Sequence, residues 1–161
     1  MRAVEEVGTP VWLYEAEPIR QRVAQLRQFD TIRFAQKANS NTHILRLLRN
    51  EGVVVDAVSL GEIERALHAG YQPGTEAEEI VFTADIIDAA TLRRVTELGI
   101  PVNCGSPDMI RQIGEAKPGH PVWLRLNPGF GHGHSRKTNT GGPSSKHGIW
   151  HDELEACLRL V

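Results

Sequence analysis

Short apolar runs alternate with helical segments from residue 31 onward, and this alternation constrains the fold more than any other feature of the chain. Strands that alternate with helical patterns of about ten residues are typical of βα units, whose strands form a parallel sheet. The pattern fits an open doubly wound sheet as well as part of a (β/α) barrel, and it does not decide between them. The predicted strands are 31–35, 53–58, 80–83, 100–104 and 122–126.

Residues that begin and end helices separate the predicted strands. Ser40 or Asn41, then Asp88, can cap helix N-termini, because their side chains accept hydrogen bonds from the first N–H groups. Gly70 is a natural C-cap, since glycine adopts the left-handed conformation without strain. The last helix is predicted from residue 150 onward, with Asp152 as its cap.

Before residue 31 the sequence predicts a strand at 11–15 and then a helix. Pro18 falls near the first turn of that helix, where its missing N–H costs nothing. Four apolar residues repeat at spacings of four and three and predict one buried helix face. They are Ile19, Val23, Leu26 and Phe29.

Composition excludes several classes of protein. The 161 residues carry a net charge of −2, which gives no reason to expect nucleic acid or an anionic membrane as a partner. No apolar run approaches the roughly 20 residues of a membrane span, and charges occupy the positions where a signal peptide is apolar. We therefore expect a cytoplasmic protein. Cys104 and Cys157 are too few for a disulfide framework.

Lys37 comes directly after the predicted strand 31–35 and before a helix. Parallel α/β folds place their chemistry at this end of the strands. Burial disfavours a charged amine, so a lysine there can act as a nucleophile toward a carbonyl carbon. The local pattern alone favours an ordinary solvated lysine.

Three segments in order resemble the diaminopimelate decarboxylases, which are pyridoxal-phosphate enzymes with an alanine-racemase-like fold. The first is Phe-Ala-Gln-Lys-Ala-Asn-Ser-Asn at 34–41, and the second is Val-Asp-Ala-Val-Ser-Leu-Gly-Glu at 55–62. The third and most specific begins Arg-Leu-Asn-Pro-Gly-Phe-Gly-His-Gly-His-Ser at 125 and ends Ser-Lys-His-Gly-Ile-Trp at 150. The resemblance covers the chain from about Thr9 onward.

The resemblance implies an α/β fold, specifically an N-terminal portion of a (β/α) barrel of parallel strands, with the family's C-terminal β domain absent. A whole barrel typically needs about 250 residues. It implies a division into 1–30, an N-terminal strand and helix, and 31–161, a truncated pyridoxal-phosphate-binding barrel. The opening strand belongs with the second domain in the family. The full-length enzyme is expected to be a homodimer.

The resemblance also implies a function: decarboxylation of meso-2,6-diaminopimelate to L-lysine, with pyridoxal 5′-phosphate as cofactor and an amino acid as substrate. Lys37 is then the catalytic residue that forms an imine with the cofactor, and Asp56, Ser59 and Arg125 are further cofactor-binding residues. From sequence context alone, Asp56 can instead cap the next helix, with Ser59 as partner, and Arg125 can equally form a salt bridge at a helix terminus or on the surface. Two alternatives stay open: a fragment inactive alone, and a relative acting on ornithine or arginine.

The loop 127–148 is rich in glycine and histidine. His132, His134, His147 and His151 suggest a metal site, but no carboxylate or cysteine falls between 127 and 150, so we predict no metal. We expect the loop to close over the active site, as glycine-rich loops do. Its basic residues would suit an acidic substrate. They are Arg136, Lys137 and Lys146.

Overall fold

The computed structural model describes residues 2–134 and 138–161, with the side chains of residues 2 and 3 left out. Its helices and strands follow one another in the alternating order that the sequence predicts. The helices are α1 Arg2–Val7, α2 Ala16–Ala24, α3 Thr42–Asn50, α4 Leu60–Ala69, α5 Ala89–Leu98, α6 Pro107–Ala116 and α7 Leu154–Leu158. The strands are β1 Arg33–Ala35, β2 Val54–Ala57, β3 Ile80–Phe82, β4 Val102–Cys104, β5 Val122–Leu124, β6 Leu126–Asn127 and β7 Ile149–Trp150.

The first five strands form one parallel sheet in the order β1-β2-β3-β4-β5. Strand order follows chain order, so each helix from α3 to α6 connects two neighbouring strands, as in successive units of a (β/α) barrel. The register places Ala35 opposite Asp56 and Cys104 opposite Leu124. The carboxyl ends of all five strands therefore lie at one edge, where Lys37 was predicted to lie.

The main core lies between the sheet and the helices. Val55, Ile80 and Val102 from the strands pack with Ile63 and Val95 from the helices, and all five are fully buried. The opposite, concave face of the sheet is lined by polar and small side chains and by Trp123, which is 40% exposed.

Capping residues start and end the helices as the sequence predicts, with one exception. The Asn41 side chain accepts from the N–H groups of His43 and Ile44, at 2.9 and 3.4 Å. Asp88 caps α5, and Gly70 ends α4 at φ +102°. Asp152 does not cap a helix, because a 3₁₀ turn precedes α7 and the Asp152 carboxylate contacts His151.

The first 30 residues differ from the prediction. Residues 11–15 form no strand, so the predicted opening strand is wrong for the described chain. Helix α2 ends at Ala24, before Leu26 and Phe29, and both of those side chains are exposed. Only Ile19 and Val23 of the predicted face pack against the sheet-and-helix body.

After β5 the chain continues into β6, which pairs in parallel with β7. The loop between them folds back on itself through the buried Asn127, whose side-chain oxygen accepts from Gly129 and Gly142 N–H groups. The backbone segments around Phe130 and Gly141 pass so close to each other that a Cβ on Gly141 would clash with the Phe130 carbonyl oxygen. Glycine is therefore required at this position.

Candidate functional site

A cavity of about 440 Å³ lies at the carboxyl ends of the strands. Strand β2, the residues that follow β1, β2, β3 and β5, and the loop 127–148 all contribute side chains to it. Acidic, basic and hydroxyl groups meet there, which is the usual setting for chemistry on a small polar molecule. The lining residues are Lys37, Asp56, Val58, Thr83, Ala84, Asp85, Arg125, Thr140 and His147.

Lys37 lies in a 3₁₀ turn, Gln36–Ala38, that directly follows β1. The strand ends where this turn begins. After the turn, Asn39 returns to extended backbone, and Asn41 then caps α3. The Lys37 side chain is exposed at the mouth of the cavity. The structure thus places the lysine at the predicted strand end, although without the surrounding burial that the sequence argument invoked.

Asp56 lies on β2, opposite Ala35, and faces the same cavity as Lys37. Burial raises the pKa of the Asp56 carboxyl, although a hydrogen bond with Thr83 and three nearby cations, one of them Lys37, oppose the shift. One carboxylate oxygen is buried without a hydrogen-bond partner among the described residues. The carboxylate can therefore still accept a hydrogen bond from a ligand or from the amine.

Arg125 directly follows β5 and lines the same cavity as Asp56. Its Nη1 lies 3.6 Å from Oδ1 of Asp85 and 3.4 Å from Nδ1 of His147. The Nδ1 atom of His147 in turn lies 3.0 Å from Oδ2 of Asp85. Burial opposes ionisation of Asp85, but the His147 hydrogen bond and the neighbouring cations outweigh it and lower the pKa of this carboxyl.

Three of the four predicted site residues line this cavity: Lys37, Asp56 and Arg125. Ser59 does not line it; its hydroxyl accepts from the N–H of Glu62 and caps α4. Asp56 takes no part in that cap, so the capping interpretation of Asp56 is wrong. The role of all four residues toward a cofactor stays a prediction.

The sequence argument missed Thr83, Asp85, Thr140 and His147 as cavity residues. Thr83 and Asp85 carried a usable signal, because polar residues directly after a predicted strand fall at the same sheet edge as Lys37. Thr140 and His147 carried none, since only the folded loop brings them to the cavity.

The histidines of the loop have separate surroundings. His147 contacts Asp85 in the cavity, whereas His151 contacts Asp152 at 2.7 Å and packs on Trp150 outside it. His132 and His134 are exposed. Within ranges 2–134 and 138–161, no three histidine, cysteine or acidic side chains are grouped to hold a metal. Arg136 and Lys137 lie outside the described residues.

The donors in the cavity suit an anionic aldehyde such as pyridoxal phosphate. Lys37 offers the primary amine that an aldehyde carbon requires, and Arg125 offers a fixed positive charge. The buried, unpaired oxygen of Asp56 offers an acceptor for a cationic nitrogen. The residues therefore fit this group.

The parallel sheet and the lysine at its carboxyl edge define an α/β protein built like the first units of a (β/α) barrel. The family model described as pyridoxal-dependent decarboxylase, pyridoxal binding domain, matches residues 17–161. The chain belongs to this family of pyridoxal-dependent decarboxylases.

Individual relatives of high identity are decarboxylases as well. The chain is 69% identical over 159 residues to the diaminopimelate decarboxylase of Streptomyces coelicolor and 65% identical over 161 residues to that of Escherichia coli K12. These matches include 99% and 100% of this chain but only 36% and 38% of the two relatives. The chain thus spans little more than a third of the curated relatives it matches.

Solved structures agree in fold. A crystal structure of diaminopimelate decarboxylase superposes with a TM-score of 0.92 at 65% identity, covering 99% of this chain and 38% of that one. The Helicobacter pylori diaminopimelate decarboxylase, complexed with L-lysine, gives 0.87 at 28% identity, covering 97% of this chain and 41% of that one. The barrel fold implied by the resemblance is confirmed. No helix in the described part of the chain is long and apolar enough to cross a membrane.

Proposed function

We propose that this chain forms the pyridoxal-phosphate-binding part of an enzyme that decarboxylates meso-2,6-diaminopimelate to L-lysine. The observation that carries the proposal is the meeting of Lys37, Asp56 and Arg125 in one cavity of a chain belonging to the pyridoxal-dependent decarboxylases. The substrate is inferred from the relatives, since proteins that are 69% and 65% identical to this chain are diaminopimelate decarboxylases.

Each residue has a role in this proposal. Lys37 holds the cofactor through its amine, which its place at the cavity mouth leaves accessible. Arg125 provides positive charge for the anionic groups of cofactor or substrate. Asp56 accepts a hydrogen bond beside the amine and keeps Lys37 oriented. The bound cofactor supplies an electron sink for the pair released with CO₂.

The chain alone is proposed to lack decarboxylase activity, and the complete enzyme to be a homodimer. The observation behind the first point is the exposure of the site: Lys37 is exposed at the cavity mouth, and Trp123, which borders Asp56 and Arg125, is 40% exposed. Catalysis in a site open to water loses much of the electrostatic stabilisation of charge. Release of CO₂ from diaminopimelate by the purified chain would contradict this statement.

The cofactor proposal is tested by borohydride reduction of the chain with pyridoxal phosphate, followed by peptide mapping. The expected label is on Lys37, with a visible absorbance band before reduction. Lys37→Ala should abolish the band while leaving the circular dichroism spectrum unchanged. Lys146→Ala is the matched control, because Lys146 lies at the same cavity mouth, 3.5 Å from Asp85. Labelling that persists in Lys37→Ala, or that depends equally on Lys146, would overturn the proposal.

A further inference from the structure

A carboxylate and an imidazole meet the Arg125 guanidinium at the mouth of the cavity. Asp85 comes three residues after the end of β3, and His147 comes two residues before β7. Their side chains are 62 residues apart in sequence and in hydrogen-bond contact in the fold.

The contact distances determine which group donates. The Nδ1 atom of His147 lies 3.2 Å from Oδ1 and 3.0 Å from Oδ2 of Asp85. A carboxylate only accepts, so Nδ1 carries the proton and donates it to Asp85. Arg125 also only donates, so its Nη1 is left to interact with the Asp85 carboxylate, at 3.6 Å, rather than with the ring. Asp85 therefore bridges the imidazole and the guanidinium.

The backbone of Arg125 is held independently of this bridge. Its N–H donates to the Cys104 carbonyl oxygen at 2.9 Å, and its carbonyl oxygen accepts from the Ile149 N–H at 2.7 Å. Within the described ranges, the guanidinium itself has no ion pair except that to Asp85, and the His147 ring lies beside it, with Nδ1 3.4 Å from Nη1. Among groups within 4 Å, this pair is what can direct the charge, because four torsions separate the backbone from the guanidinium, whereas Asp56 attracts it from farther away.

We propose that Asp85 and His147 form a positioning pair that holds the Arg125 guanidinium at the cavity mouth, directed toward an anionic group bound near Lys37. His147 fixes the Asp85 carboxylate through Nδ1–H, and the carboxylate fixes Arg125. Lys146, 3.5 Å from Oδ2 of Asp85, is highly exposed and adds charge without fixing direction. That an anionic group binds near Lys37 rests on the proposed function, whereas the statement that the pair holds Arg125 does not depend on it.

A conservative variant of His147 separates the loss of Arg125 positioning from a general loss of folding. His147→Ala removes the donor, whereas His147→Asn keeps an amide N–H near the place of Nδ1. Asp85→Asn removes the charge and serves as a second variant. His151→Ala is the matched control, because His151 also contacts a carboxylate, that of Asp152, but lies outside the cavity.

Two quantities are measured by peptide mapping for each variant. The first is the rate at which phenylglyoxal modifies Arg125 without any cofactor. We expect about a three-fold faster reaction in His147→Ala and Asp85→Asn, as for the loss of one partly exposed ion pair. The second is the pyridoxal phosphate concentration that half-labels Lys37 on borohydride reduction, expected to rise on the order of five-fold in the same variants. His147→Asn and His151→Ala should stay at the wild-type values.

Each outcome decides the inference. Equal Arg125 modification rates in all variants would overturn it, as would a His147→Asn variant that behaves like His147→Ala. Faster modification with unchanged Lys37 labelling would show that the pair does not act on the site, and would also overturn it. If Lys37 is not labelled even in the wild-type chain, the proposed function fails, and the Arg125 rates alone then decide whether the positioning pair exists.

Discussion

Gln36 is buried next to Lys37 in the chain, and among the described residues its amide has no hydrogen-bond partner. The side chain is 1% exposed, and neither Nε2 nor Oε1 has a partner among the described residues. A buried polar group without a partner costs about 1–3 kcal/mol in mutational series. Methionine has nearly the same length and no polar donor, so Gln36→Met should increase the free energy of unfolding by about 1–2 kcal/mol.

Urea denaturation at fixed protein concentration measures this effect, with an unchanged m-value expected. The midpoint of thermal unfolding should rise by about 2–4 °C per kcal/mol for a chain of this size. Gln112→Met is the matched control, because Gln112 is exposed and its Nε2 donates to the Ile87 carbonyl oxygen at 3.3 Å. It should change the free energy of unfolding by less than about 0.5 kcal/mol. Destabilisation of Gln36→Met by 1 kcal/mol or more would refute the reasoning, since it would reveal a partner for the amide.

Three further predictions concern charge and surface. Burial raises the pKa of Asp56, so its ionised form is less favourable in the folded state than in the unfolded chain. Asp56→Asn should therefore unfold at a higher urea concentration than wild type at pH 7. The difference should vanish below about pH 4, where the carboxyl is protonated in both states. Burial also lowers the pKa of His120, so the unfolded state binds its proton first and stability should fall as pH drops below about 6.5. His120→Gln, which keeps a donor for the Ile100 carbonyl oxygen at 2.9 Å in wild type, should remove that pH dependence, and an unchanged urea midpoint profile would contradict the assignment. The sheet has open edges and an uncovered concave face, so the chain should self-associate, and light scattering that shows a monomer at every concentration would disprove this.

Local sequence signals predicted the elements whose partners lie nearby in the chain. Asn41, Asp88 and Gly70 cap or end helices through hydrogen bonds within a few residues, and all three were correctly identified. The predicted strand at 11–15 was wrong because a strand requires a pairing partner, and the described chain supplies none there. Leu26 and Phe29 fit a helical face by spacing, but α2 ends before them.

The sequence by itself determined the alternating strands and helices, their caps, and the place of Lys37 at a strand end. Asp56 and Arg125 also followed from the motifs, and the fold confirms that both lie at the same cavity as Lys37. The Ser59 cap of α4 is a local contact, whereas only the tertiary structure decided that Asp85, Thr140 and His147 join the cavity. The physical reason is that caps depend on neighbours in sequence, whereas the Asp85–His147 contact spans 62 residues and exists only once the sheet and loop are folded.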